Sequence, residues 1–175
     1  MIRIREATEA DAPAIARVHV DSWRTTYKGI VPDDYLAALS YEQRERVWQG
    51  NLSAGRAVEF VYVAEDDGGQ VVGFASGGRQ NSGDAEYAGE LYAIYLLASH
   101  QGRGIGRQLV MAVTRRLLQA DLPSMLVWVL AANPARAFYE ALGGKELYEK
   151  PINIGGASLV EVAYGWPDLT ILVGE

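Results

Sequence analysis

The run Gln101-Gly102-Arg103-Gly104-Ile105-Gly106-Arg107 constrains this chain more than any other segment. It follows an apolar stretch, Leu91 to Leu97, that reads as a buried strand. It precedes Leu109, Val110, Val113 and Leu117, whose spacing is that of one helix face. A strand, a glycine turn and a helix start in that order make an anion site. Glycines let the backbone come close, the first helical turn has free N–H groups, and the macrodipole favours negative charge. Arg103 and Arg107 add two cations there. A phosphate-bearing ligand is the expected occupant.

Two common phosphate patterns do not match. A dinucleotide fingerprint has glycines at G-x-G-x-x-G, and here Arg107 stands third after Gly102 and Gly104. That fingerprint also opens an early βαβ unit, whereas about half of this chain comes first. A P-loop needs G-K-[S/T] where Arg107-Gln108 stands. Taken alone, the run is equally a turn that lets a strand enter a helix.

The rest of the chain reads as mixed α and β. Ile2 to Arg5 alternates like a strand, and Asp11 with Pro13 opens a helix that Gly29 to Pro32 breaks. Ser40 and Gln43 have capping-box spacing for a second helix to about Gln49. Val58–Glu65 and Gln70–Gly77 flank the turn 66–69 as a hairpin, and Glu86–Leu97 is a further strand. Helix 104–120, strand 125–130, helix 134–142 and strands at 145–152 and 157–164 follow. The tail Leu169 to Val173 is apolar and suits either an added strand on a partner subunit, as in a homodimer, or a cover over its own core. The expected class is α+β, with a mostly antiparallel sheet and one βαβ crossover, as a single domain over 1–175.

Composition narrows the function. No cysteine is present, so disulfides, zinc thiolate sites and thiol nucleophiles are excluded, and His19 and His100 have no partner at metal spacing. No metal is expected. The net charge of −6 argues against nucleic acid, which needs a basic face; it fits a cationic partner such as an amine and equally a solvated acidic surface. No apolar run approaches a membrane span, and the N-terminus lacks a signal peptide's apolar stretch, so cytoplasmic residence without membrane contact is expected.

The glycine run then joins a second motif. Gln101, Gly104 and Gly106 match Gln/Arg-x-x-Gly-x-Gly/Ala, and Asn133-Pro134-Ala135-Arg136-Ala137-Phe138-Tyr139 opens a short helix closed by Gly143. In this order and spacing the two resemble the Gcn5-related N-acetyltransferase (GNAT) superfamily, firmly from about residue 58 to Tyr164 and more loosely before. The resemblance implies acetyl transfer from acetyl-CoA, as acyl-donor cosubstrate, to an amine of a small molecule or peptide. It implies that Gln101, Gly102, Arg103, Gly104, Ile105, Gly106 and Arg107 hold pyrophosphate. It also implies that the strand edge at Ile94 and Leu96 pairs with pantetheine, and that an N–H at Tyr95 or Leu96 faces the thioester oxygen.

By the same carry-over, Glu90 is the base, directly or with ordered water doing that work instead, and Tyr92 helps order the water. Tyr139 is the proton donor to the leaving thiolate. Asn133 caps its helix and contacts pantetheine; Arg136 either reaches CoA phosphate or is simply solvated. Trp23, Tyr27, Tyr35 and Trp48 gather over the acceptor cleft, with Tyr27 the leading pocket residue and Trp48 mostly core. The competing class is an acyl-CoA-binding module of the same fold that senses rather than reacts.

Overall fold

One seven-stranded sheet organises the chain, in the order β1-β2-β3-β4-β5-β7-β6. The computed structural model describes residues 1–53 and 59–174. The strands are β1 (Arg3–Glu6), β2 (Glu59–Glu65), β3 (Val71–Arg79), β4 (Gly89–Leu96), β5 (Met125–Leu130), β6 (Lys145–Ile154) and β7 (Ala157–Trp166). The helices are α1 (Ala12–Thr26), α2 (Asp33–Ala37), α3 (Tyr41–Ser53), α4 (Ile105–Gln119), α5 (Arg136–Ala141) and α6 (Thr170–Val173). Every strand pair is antiparallel except β4 with β5, which α4 joins as the crossover. Among the described residues no helix is long and apolar enough to cross a membrane.

Local chemistry sets the boundaries. Asp66 Oδ1 accepts from the N–H groups of Gly68 and Gln70, both at 2.9 Å, which closes the β2–β3 turn. Gly29 at φ +80° lets the chain leave α1. Ser40 Oγ accepts the Gln43 N–H at 3.2 Å, the N-terminal half of the expected capping box. The expected start of a strand at Val58 lies outside the described residues.

Helices cover both faces. Ile105, Leu109, Val113 and Leu117 of α4 pack with Leu91, Met125, Val127 and Val129. On the opposite face Ile15 and Val18 of α1 and Trp48 of α3 pack with Val61, Val63 and Phe74. Burying each such side chain is worth about 1.5–3 kcal/mol. A third cluster sets Tyr27, Val31 and Leu36 over Leu130, with Ile152 and Leu159 of the β6–β7 hairpin packed against it.

Of the two roles expected for the tail, the cover over its own core holds: it forms α6, with Leu169 and Leu172 buried in the main core. Two boundaries need correction. β4 starts at Gly89 and not Glu86, because Asp84 Oδ1 takes the Glu86 N–H at 2.7 Å and Ser124 Oγ takes that of Ala88 at 2.9 Å. α5 starts at Arg136 and not 134, since Asn133 Oδ1 first folds residues 133–135 into a turn.

Candidate active site

β4 carries one residue too many for its neighbour. Leu91 pairs with Gly77 and Ala93 with Ser76, so Tyr92 is the extra residue of a β-bulge. Leu91 faces α4; past the bulge Ile94 and Leu96 face α4, while Ala93 and Tyr95 face α1. On the other edge β4 pairs with β5 only at Gly89–Met125, Glu90–Leu126 and Leu91–Val127. From Tyr92 onward the two strands splay.

The splay frees backbone groups in a definite pattern. The Leu97 N–H donates to Val72 C=O at 2.9 Å, so the antiparallel alternation turns the Tyr95 and Ala93 groups toward β3. The N–H and C=O groups of Ile94 and Leu96 therefore face the gap. The Leu96 C=O accepts from Ser22 Oγ and Gln101 Nε2, each at 3.2 Å, which leaves its N–H and both groups of Ile94. Of the two positions expected for the oxyanion donor, Leu96 points into the gap and Tyr95 away from it.

The glycine run follows directly. Among the described residues, no backbone N–H from Gly102 to Arg107 donates to another protein group; the first to do so is Gln108, to Gly104 C=O at 3.2 Å. Gly102 and Gly104 take φ of +72° and +76°, the left-handed turn that aims successive N–H groups one way. Arg103 and Arg107 are exposed beside them. Gly106 is needed for a different reason: a Cβ there would meet the Phe138 ring at 3.2 Å. The run thus offers six donors and two cations to a polyanion, a good fit to the pyrophosphate of CoA.

Glu90 is the last β4 residue but one before the splay and is 7% exposed. Burial pushes its carboxyl above the ordinary range; the Asn81 N–H at 3.4 Å and Lys150 pull it back, and Glu161 adds to the rise. The Tyr92 hydroxyl donates to Arg79 C=O, level with Gly89 across the β3–β4 pair. Burial, then the Glu90 charge, pushes that hydroxyl up to about 12.

Hydroxyls from three elements converge along the gap. Tyr27, at the end of α1, has Oη 3.3 Å from Tyr95 Oη. Burial raises the Tyr27 hydroxyl, and its bonds to Tyr95 and to the neighbouring Asn133 amide pull it part of the way back. Tyr139 of α5 packs on the α4 side against Phe138, Tyr164 and Trp166. It is buried and not at the rim, and burial, then Tyr27, pushes its hydroxyl well above the usual phenol value. Its Oη has no hydrogen-bond partner among the described residues. Tyr139 and Tyr27 come from opposite faces, and the splayed sheet leaves them within electrostatic reach of one another.

Other residues settle in different roles. Arg136 departs from the phosphate expectation: its guanidinium donates to Tyr164 Oη at 3.0 Å, Ala131 C=O at 3.2 Å and Glu146 at 3.2 Å, tying α5 to the sheet. Asn133 caps through Ala135 N–H at 2.9 Å. Trp48 is core, its Nε1 donating to His19 Nδ1 at 3.2 Å, and burial lowers His19 to about 3. Trp23 packs tilted against Tyr27, ring centres 4.5 Å apart, and Tyr35 bears against Gly155 of the β6–β7 turn. Sequence reasoning missed Ser22, Trp128, Lys150 and Glu161. No local motif marks them; strand register brings Trp128, Lys150 and Glu161 to this face, and the packing of α1 on β4 brings Ser22.

The sequence profile of the acetyltransferase (GNAT) family matches residues 17–144. The Bacillus subtilis (strain 168) protein named "Uncharacterized N-acetyltransferase YuaI" is 46% identical over 172 residues, 98% of this chain and 96% of that protein. The Mycobacterium tuberculosis protein named "Probable N-acetyltransferase Rv2775" is 29% identical, covering 93% of this chain and 92% of its own. Both alignments include the N-terminal region where the motif likeness is loose. Among solved structures, PaiA N-acetyltransferase from Thermoplasma acidophilum, in complex with coenzyme A, superposes with a TM-score of 0.71 at 19% identity, over 93% of this chain and 98% of that one. YncA from Salmonella typhimurium, with its cofactor acetyl-CoA, gives 0.71 at 22% identity, over 97% and 94%. The two structures share the fold; the profile and the 46% relative carry the assignment: this chain is an N-acetyltransferase and belongs to the acetyltransferase (GNAT) family.

Proposed function

We propose that the protein transfers the acetyl group of acetyl-CoA directly to a primary amine of a small molecule or peptide. The observation that carries this reading is continuity. Six free N–H groups at 102–107 run into the outward backbone of Leu96 and Ile94, which ends at the buried Glu90. When bound, acetyl-CoA supplies a thioester carbonyl open to attack by an amine.

The chain's own groups then divide the work. The 102–107 backbone with Arg103 and Arg107 holds the pyrophosphate, and the Ile94–Leu96 edge pairs with the pantetheine amides. The Leu96 N–H stabilises negative charge on the carbonyl oxygen. Glu90, its carboxyl raised by burial, accepts the ammonium proton directly or through a water that Tyr92 orders. Tyr139, kept protonated by burial, gives its proton to the departing thiolate. Trp23, Tyr27 and Tyr35 form the acceptor's apolar wall.

The test is thioester consumption by purified protein across a panel of amines, read as CoA release and acetylated product. Turnover with at least one primary amine is expected. Tight acetyl-CoA binding by calorimetry without turnover on any amine would replace this reading with that of a CoA-sensing module.

A further inference from the structure

An amine of the protein itself stands on the acceptor face. The chain has three lysines. Lys150 Nζ lies 4.0 Å above the centre of the Trp128 ring and 3.3 Å from Glu161 Oε1. Register places all three on the face of the sheet that carries Glu90. Glu90 pairs with Leu126, so Trp128, two residues on, lies on the same face at the mouth of the splay. Lys150 pairs with Glu161 and Glu161 with Leu130, which packs under Tyr27 on that face. The Lys150 and Glu161 charges both bear on Glu90. Lys28 sits on the exposed turn after α1, and Lys145 opens β6 at its far end from Lys150. Neither has an aromatic ring or a carboxylate holding its ammonium among the described residues.

From this juxtaposition we propose that Lys150 is an internal acceptor, acetylated in cis from acetyl-CoA, an inference that rests on the function proposed above. The Lys150 ammonium gives one proton through water to Glu90, and the freed Nζ bonds to the thioester carbonyl carbon. The C–S bond breaks with its electron pair on sulfur and the thiolate takes the Tyr139 proton, while the second proton that Nζ sheds as the amide forms passes to water, from which Tyr139 regains its own; Glu90 returns its proton to solvent. The products are Nζ-acetyl-Lys150 and CoA. Acetylation ends the ion pair with Glu161 and removes the lysine charge that bears on Glu90.

The experiment incubates the full chain with acetyl-CoA and no added amine, then maps acetyl groups by peptide mass spectrometry. Expected is one acetyl group on Lys150, formed at a rate independent of protein concentration and absent in Lys150→Arg, which keeps the charge and the pairing. Glu90→Gln should slow it on the order of 10²–10⁴-fold. Equal labelling of Lys28 and Lys145, a rate that rises with protein concentration, or full labelling in Glu90→Gln would overturn the proposal. Acetylation of external amines with Lys150 unmodified sinks this inference alone. If acetyl-CoA binds and neither Lys150 nor any amine is modified, the proposed function fails with it.

Discussion

The hydroxyl oxygens of Tyr27 and Tyr95 lie 3.3 Å apart and tie the end of α1 to the splayed half of β4. Neither strand nor helix ladder reaches across that gap, so this contact and the Ser22 Oγ bond to Leu96 C=O hold the helix end over the site. Tyr27→Phe keeps the tilted ring contact with Trp23 and removes the tie. We expect a loss of about 1 kcal/mol, roughly 2–4 °C in Tm for a chain of this length. Thermal melting checks it, and an unchanged Tm would show that the pair holds nothing.

Tyr139→Phe separates chemistry from packing. The ring contacts with Tyr164 and Trp166 persist, and the deleted hydroxyl has no partner to orphan among the described residues. Tm should hold within about 1–2 °C, while kcat falls roughly 10²–10⁴-fold at constant acetyl-CoA affinity. Full turnover in the variant removes Tyr139 from the donor role.

Glu90 should set the acidic limb of the pH–rate profile. Burial raises its carboxyl in the folded protein, so the basic form is lost as pH falls through a value above the usual carboxylate pKa of about 4.3. Glu90→Gln should abolish that limb and depress transfer most at low pH, where fewer amines are already neutral. The same raised pKa means the charge is unfavourable in the fold above it, so the neutral variant should melt no lower than the parent at pH 8. A profile identical to the parent's assigns the base role to water.

Gly104 tests the anion cradle. Its φ of +76° is strained for any side chain, and worst for a β-branched one, although a Cβ there meets no atom within 4 Å. Gly104→Val should cost about 1–3 kcal/mol of local strain, which the fold survives, but it reorients the N–H groups. Acetyl-CoA affinity by calorimetry should fall at least about tenfold with native circular dichroism. Undiminished affinity would place the phosphates elsewhere.

Stability at acid pH should trace to a site remote from the chemistry. Asp11 accepts from Arg5 at 2.8 and 2.9 Å and from the Thr8 N–H at 2.8 Å, and Arg5 also reaches Glu65 at 2.7 Å. The Arg5 hydrogen bonds hold the Asp11 carboxyl below its usual range. That stabilisation is complete above the unfolded value of about 3.9 and disappears as pH falls through the lower folded one. Asp11→Ala should therefore lose about 1.5–3 kcal/mol at pH 7, and the gap to the parent should close in melts below about pH 4.

Much of this was legible where the signal is local. Strand 125–130 and α4 announced themselves by period, and Gln101 to Arg107 by its glycines, because turn chemistry and apolar spacing act between near neighbours. Lys150 and Glu161 were invisible for the opposite reason. Their place on the face of Glu90 depends on the order β4-β5-β7-β6, and nothing within a few residues of either encodes that order. The role of Arg136 is hidden for the same reason: a first helical turn suggests solvation, whereas Tyr164, 28 residues on, claims its guanidinium. Tyr139 went deeper than a short amphipathic helix suggests, since β7 supplies the two aromatic rings that bury it.

The extra residue at Tyr92 has a genetic consequence. In an unbroken strand, residues an odd number apart look in opposite directions, so Glu90 and Tyr95 could never address the same acceptor. Deleting any one residue between Glu90 and Tyr95 would therefore do more than shorten the strand. The core would hold either Leu91 or the pair Ile94 and Leu96 in place, and the other half of the strand would present its back to the chemistry. Substitutions at Tyr92 alter one side chain; a single-codon deletion there reverses half of the catalytic surface.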